Sequence, residues 1–227
     1  MGGGIVRHCR SYLLRTVSTE LGFDIAVRIA AARGRGQDRA FALHVGAGLL
    51  VGLADGVGGR PGGERAAERL LELAGMGTPP SDATELARIL RAADRTIARE
   101  GGGETTGVLI FMDHVTLHGA SVGDSIAWHL DDGAQVDLTE GQERRPMIGS
   151  GHANPIPFTH RPGGRGTLLV ASDGLWKYAP LRSILDVARM TEVDEAGDQL
   201  LALPTLRSGL LMDDVALVLV RARGNVR

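Results

Sequence analysis

An apolar run that ends in Asp-Gly occurs twice in this chain, and the first gives way to a helix. No other feature constrains the fold as much. GLLVGLADGVGGRPGGERAAERLLELAG, from Gly48 to Gly75, carries a strand to Asp55, bends through glycines and enters an amphipathic helix. TLLVASDGLW repeats the pattern at Asp173. A carboxylate buried alone at a strand end is costly, but it makes sense if it has a cation to hold. Three more acidic sites fall at strand edges or turns. SGLLMDDVALVLV puts Asp213 and Asp214 at the mouth of the last strand, GASVGDSIAW puts Asp124 in a turn, and RGRGQDRAF puts Asp38 just before a strand.

Around these acids the hydrophobic periods predict the elements. Alternation from Phe23 to Ala32 predicts a strand, as do the runs Phe41–His44 and Gly48–Ala54. Ala67, Leu70, Leu71 and Ala74 share one face of a helix over Glu64–Ala74. Asp82 and Glu85 form a capping-box-like start to a helix over 83–99, which Gly101 ends. Short strands follow over Thr106–Met112, Val115–Ala120, Ser125–Leu130 and Ala134–Leu138, the last two joined by an Asp132-Gly133 hairpin turn. Residues 139–166 show no period and read as a long flap-like loop. Strand Thr167–Ala171, helices Leu181–Arg189 and Glu195–Leu203, and strand Val215–Arg221 complete the chain. Hairpin-linked strands argue against a doubly wound parallel sheet. The expected class is α+β: two packed antiparallel sheets with helices outside, in one domain over 1–227, with a peripheral lead-in at 1–20. Trp128 and Trp176 are expected in the core or the wall of a site.

Composition narrows the function. A formal charge of −2 gives no basic field for nucleic acid and no polybasic membrane patch. The longest apolar stretch, Ala42–Ala54, is too short to span a bilayer. The start lacks a signal-peptide core, and Val6 stands where a myristoylation signal needs Ser or Thr. Cys9 is the only cysteine, so neither a disulfide framework nor a cysteine zinc site forms, and the expected setting is a reducing cytoplasm. GVGGRPGG lacks the Lys-Ser/Thr of a nucleotide-binding P-loop.

Acids at strand ends, without histidine or cysteine beside them, suit hard divalent cations held by oxygen rather than zinc. Two such ions about 3.5–4 Å apart activate a water between them. Asp55 would bridge such a pair, and Gly56 would turn its carbonyl toward one ion. Asp-Gly is also a common turn dipeptide, so the pattern by itself leaves metal binding and plain turns both open.

The ordered series Arg33…Gln37-Asp38, ADGVGG (54–59), ETTGVLI (104–110), SVGDS (121–125), RRPMIGSG (144–151), SDGLW (172–176) and DDVALV (213–218) resembles the metal-dependent type 2C serine/threonine protein phosphatases. The resemblance covers about residues 24–221 and implies a four-layer α-β-β-α sandwich. It implies Mn²⁺ or Mg²⁺ as cofactor, two ions with a third, weaker one near Asp124. The metal set is Asp38, Asp55, Gly56, Asp124, Asp173 and Asp213. The catalytic set is Arg33, Asp38 and Asp55, with Arg33 gripping the substrate phosphate. The implied reaction is direct hydrolysis of phosphoserine or phosphothreonine by a hydroxide between the metals, on a phosphoprotein substrate of a Ser/Thr kinase.

The chain departs from the pattern at three places. Gln37 stands where the family often has Glu, Asp214 where it has Asn, and Val57 where some members carry an acid histidine. A metal-held water or a flap histidine, His152 or His160, is open as the proton donor. A catalytically degenerate member that binds phosphoproteins is the alternative function. A phosphohydrolase with an aspartyl nucleophile is a weaker third, since no Asp-x-Asp signature is present.

Overall fold

Alternation of period two along the strands decides the layers. The computed structural model describes residues 22–57, 62–76, 80–131, 133–162 and 166–223. The lead-in at 1–20 with Cys9, the glycines at 58–59 and Asp132 of the hairpin turn lie outside them. Among the described residues the order is β1 (Phe23–Ala30), β2 (Arg39–Val45), β3 (Gly48–Ala54), α1 (Gly63–Gly75), α2 (Ala83–Glu100), β4 (Gly107–Met112), β5 (Leu117–Val122), β6 (Ile126–Leu130), β7 (Gln135–Asp137), β8 (Ile156–His160), β9 (Thr167–Ala171), α3 (Asp173–Trp176), α4 (Leu181–Ala188), α5 (Val193–Ala202) and β10 (Val215–Ala222).

Two five-stranded antiparallel sheets result, in the orders β1-β10-β9-β6-β7 and β2-β3-β4-β5-β8. In β10, Ala216, Val218 and Val220 join a core between the sheets, while Val215, Leu217 and Leu219 face α4 and α5. In β3, Leu49, Val51 and Leu53 enter the same inter-sheet core, and Leu50 and Ala54 face α1 and α2. The central strands are thus covered on both faces, which is why their sequences are continuous apolar runs despite antiparallel pairing. The expected α-β-β-α layering is the observed one. Helix α2 starts as its sequence predicts: Asp82 Oδ1 accepts the Glu85 N–H at 2.8 Å, and Glu85 Oε2 accepts the Ser81 N–H at 2.7 Å.

Two elements depart from expectation. The segment 139–166 is not a structureless flap, because Ile156–His160 pairs with β5 as the edge strand β8. Its Met147 and Ile148 are buried, and Ile148 bridges to Thr105. The short helix α3 lies directly after β9, where only a turn is expected.

Register explains the position of the site. Ala54 at the end of β3 pairs with Arg39 at the start of β2. Ala171 at the end of β9 pairs with Leu217 near the start of β10, and Ala30 at the end of β1 pairs with Val215. Antiparallel pairing therefore sends Asp38, Asp55, Asp173 and Asp213 to one end of the sandwich, far apart in sequence.

Candidate metal centre and phosphate site

At that end a cleft of about 190 Å³ is lined by Gln37, Asp38, Asp55, Gly56, Val57, Thr106, Asp124, Met147, Asp173, Asp213 and Asp214. It is smaller than the ~300–1,000 Å³ of pockets that engulf organic ligands. Carboxylate oxygens of Asp55, Asp124 and Asp173 lie within 4.8 Å of one another. Every residue expected as a metal ligand lines this one cleft.

The backbone around Asp55 is locked by the threonines of the ETTG segment. Its N–H donates to the Thr106 hydroxyl at 3.0 Å, and its carbonyl accepts the Thr106 N–H at 2.8 Å and the Thr105 hydroxyl at 2.9 Å. The Thr106 hydroxyl also meets the Ser125 hydroxyl at 2.8 Å, next to Asp124. Ser172 accepts the Ala216 N–H at 2.9 Å and so ties the Asp173 strand end to β10.

Both Asp-Gly glycines serve close approach rather than a positive φ. A Cβ on Gly56 would stand 2.5 Å from the Gly63 carbonyl group at the start of α1. On Gly174 it would stand 1.9 Å from the Asp214 carbonyl oxygen. These contacts let a helix or strand mouth close directly over each aspartate.

Electrostatics mark the site as one that wants cations. Burial, the largest cause, lifts Asp55 from its ordinary 3.8 to about 10, helped by the charges of Asp38 and Asp173, the Asp38 hydrogen bond and the Asp124 charge. Burial also raises Asp38 to about 7; the Ser172 hydroxyl opposes this, the Asp214 charge adds to it, and the Asp55 hydrogen bond opposes it. Both groups are raised, so without cations the Asp38–Asp55 pair favours holding a proton. Asp213 is raised by burial, then lowered by the Asp214 N–H, with Asp173 and Asp214 raising it again. Asp38 Oδ2 and Gln37 Oε1 are buried without a hydrogen-bond partner. Orphaned oxygens, crowded carboxylates and the absence of histidine or cysteine from the lining fit a hard divalent ion held by oxygen.

Asp214 serves a different purpose from its neighbour. Its carboxylate accepts the Ala32 N–H at 2.7 Å and the Gln37 N–H at 2.6 Å, pinning the loop that carries Arg33, Gln37 and Asp38 to the mouth of β10. Arg33 is exposed on that loop and does not line the cleft. His152 is exposed and His160 pairs with His129 at 3.2 Å; neither lines the cleft.

Three further residues support the cleft; two of them, Lys177 and Asp94, lie outside the sequence motifs, and Trp176 ends SDGLW. Lys177 makes an ion pair with Asp173 and stands 3.8 Å from Asp124 Oδ2. Burial would lower its pKa, but the hydrogen bond to Asp173 and the charges of Asp173, Asp124 and Asp213 outweigh this and raise it. Its sequence signal is the i,i+4 spacing after Asp173. Asp94, buried on α2, accepts the N–H groups of Gly149 at 2.8 Å, Gly151 at 2.9 Å and Ala153 at 3.1 Å. It fixes the segment whose Met147 walls the cleft, and its signal is an acid within the apolar stripe Leu90–Ile97. Trp176, expected in core or wall, donates its indole N–H to the Asp124 carbonyl at 3.2 Å.

No family model matches the chain, and no curated protein sequence does. Solved structures match over nearly their whole length. The catalytic domain of the serine/threonine protein phosphatase PstP, in complex with two manganese ions, aligns with a TM-score of 0.77 and 24% identity, covering 89% of this chain and 99% of that one. The chain has the type 2C phosphatase fold. Other proteins with this fold include PstP/Ppp of Mycobacterium tuberculosis, at 23% identity and TM-score 0.76 over 89% of this chain and 99% of that one. The phosphatase Stp1 of Staphylococcus aureus aligns at 19% identity and TM-score 0.76, covering 92% and 97%. On the type 2C fold, the cleft lies at the end of the sandwich where the two sheets present their acidic strand ends.

Proposed function

We propose that the chain is a metal-dependent protein phosphatase of the type 2C family that hydrolyses phosphoserine and phosphothreonine in proteins. The observation that carries this is the convergence of Asp38, Asp55, Asp124, Asp173 and Asp213, from separate strand ends, on one small cleft. The type 2C fold and the two manganese ions of the PstP complex support it.

Asp55 stands central, between Asp38 and the Asp124–Asp173 edge, and would hold divalent ions together with the Gly56 carbonyl, Asp38, Asp173 and Asp213, with Gln37 and Asp214 at the margin. Such ions, when bound, would lower the pKa of a water and neutralise phosphoryl oxygens. The carboxylates must give up their shared proton for this, and Val57 and Met147 narrow the water around them. Arg33, on the loop latched by Asp214, is free to meet an incoming phosphate with paired donors. A small acidic cleft suits a phosphoryl group presented on a protein surface, the product of a Ser/Thr kinase.

Release of phosphate from a phosphothreonine peptide in the presence of Mn²⁺ tests this. Asp55→Asn and Asp173→Asn should each lower the rate by about 100-fold or more, since outer-shell changes at metal sites alone cost ~10–100-fold. A wild-type chain that releases no phosphate yet binds the phosphopeptide would overturn the catalytic reading in favour of a phosphoprotein-binding module.

A further inference from the structure

Lys177 reaches the acidic cluster from outside every motif described above. It follows α3 directly, and its N–H donates to the Asp173 carbonyl at 2.9 Å, which folds the side chain back on the first residue of that helix. Its Nζ pairs with Asp173 Oδ2 and stands 3.8 Å from Asp124 Oδ2. With Asp55, those are the carboxylates whose oxygens lie within 4.8 Å of one another. The ammonium thus occupies two of the three corners of the cluster.

The surroundings hold it there. Trp176 donates to the Asp124 carbonyl at 3.2 Å, tying α3 to the turn between β5 and β6. Nζ lies 5.6 Å from the centroid of the Trp176 ring, within the range of cation–π attraction. An ammonium on a tether also competes at an intramolecular concentration that a free ion must match.

We propose that Lys177 is a built-in monovalent cation that fills the Asp124–Asp173 edge of the cleft and keeps a divalent ion from settling there. It rests on the metal-dependent reading above. Divalent ions are then left with Asp55, Asp38 and Asp213, and with the second oxygen of Asp173. A divalent ion and an ammonium repel, and one pair of carboxylates does not serve both. This chain therefore carries one positive charge in its own sequence where a third ion would have to be drawn from solution.

Calorimetric titration of the full chain with Mn²⁺, checked by equilibrium dialysis, reads the number of ions bound. Wild type should bind two per chain. Lys177→Met, whose unbranched stem keeps the packing against Trp176, should bind three. Lys177→Gln carries the same expectation should the methionine variant not fold. Lys177→Arg should stay at two, because the charge remains. Asp124→Asn added to Lys177→Met should return the count to two. A merely structural lysine would leave these numbers unmoved. Three ions on wild type or on Lys177→Arg, or two on the folded Met and Gln variants, would overturn the proposal. No Mn²⁺ bound by wild type would overturn the metal-dependent reading and this proposal together, so the wild-type titration alone separates the two failures.

Discussion

Burial and the neighbouring carboxylates make the charge of Asp55 costly, which favours its protonated form in the metal-free protein. Its folded pKa, about 10, is raised above the ordinary 3.8. The folded state then keeps a proton that the unfolded chain releases, so the contribution to stability falls as pH rises through that window. Thermal unfolding in EDTA should show stability dropping as pH rises from 3.8 towards about 10, and Asp55→Asn should flatten the drop. Saturating Mn²⁺ should reverse the trend, because metal binding releases protons and tightens as pH rises. At Gly174 the reasoning is steric. Gly174→Ala would drive a methyl to 1.9 Å from the Asp214 carbonyl oxygen, so chemical denaturation should show a loss of about 1–3 kcal/mol or more. The residues that sequence reasoning found, Asp38, Asp55, Asp124, Asp173 and Asp213, were legible because each stands at the end of an apolar run or in a strand turn. Asp94 was not, because its partners are set by the fold: it works through backbone groups more than fifty residues away. The spacing of Lys177 from Asp173 is visible in the sequence, but its approach to Asp124 depends on the fold.

Among the elements, the segment from Met147 to Ala153 shows how a helix can shape a site that it does not line. Asp94→Ala would leave three N–H groups of this segment without their acceptor. The expected loss is about 1–3 kcal/mol per group left unsatisfied, less what water recovers. Hydrogen exchange should report it as lost protection confined to Gly149, Gly151 and Ala153, while the amides of β10 keep theirs. Helices α1 and α2 were legible because their apolar faces repeat over several turns. Strand β8 was not, since Pro157 is the second of its five residues and argues against a strand. It is tolerated because β8 is an edge strand with one unpaired side. Helix α3 has four residues, too few for any period to show.

Over the whole molecule, the double coverage of the sheets produces continuous apolar runs, and these identified the strands but not which sheet each joins. The order β1-β10-β9-β6-β7 brings the first and last strands side by side, a pairing that no local pattern announces. One contact between the sheets carries its own pH signature. His129 of β6 and His160 of β8 meet at 3.2 Å, and burial, followed by the charge of His160, lowers the His129 pKa. The unfolded chain takes up this proton at higher pH than the folded one, so stability should fall as pH drops below about 6.5. His129→Gln should weaken that fall. No helix among the described residues is long and apolar enough to cross a membrane.

The central claim is that Asp55 stands between two divalent cations gathered by acids from distant strand ends. Anomalous diffraction from a crystal soaked in Mn²⁺ tests it most directly. The account predicts two peaks within ligand distance of Asp55, one toward Asp38 and one toward Asp173 and Asp213. A fully soaked crystal with no peak beside Asp55, or with Mn²⁺ only on surface carboxylates, would contradict it.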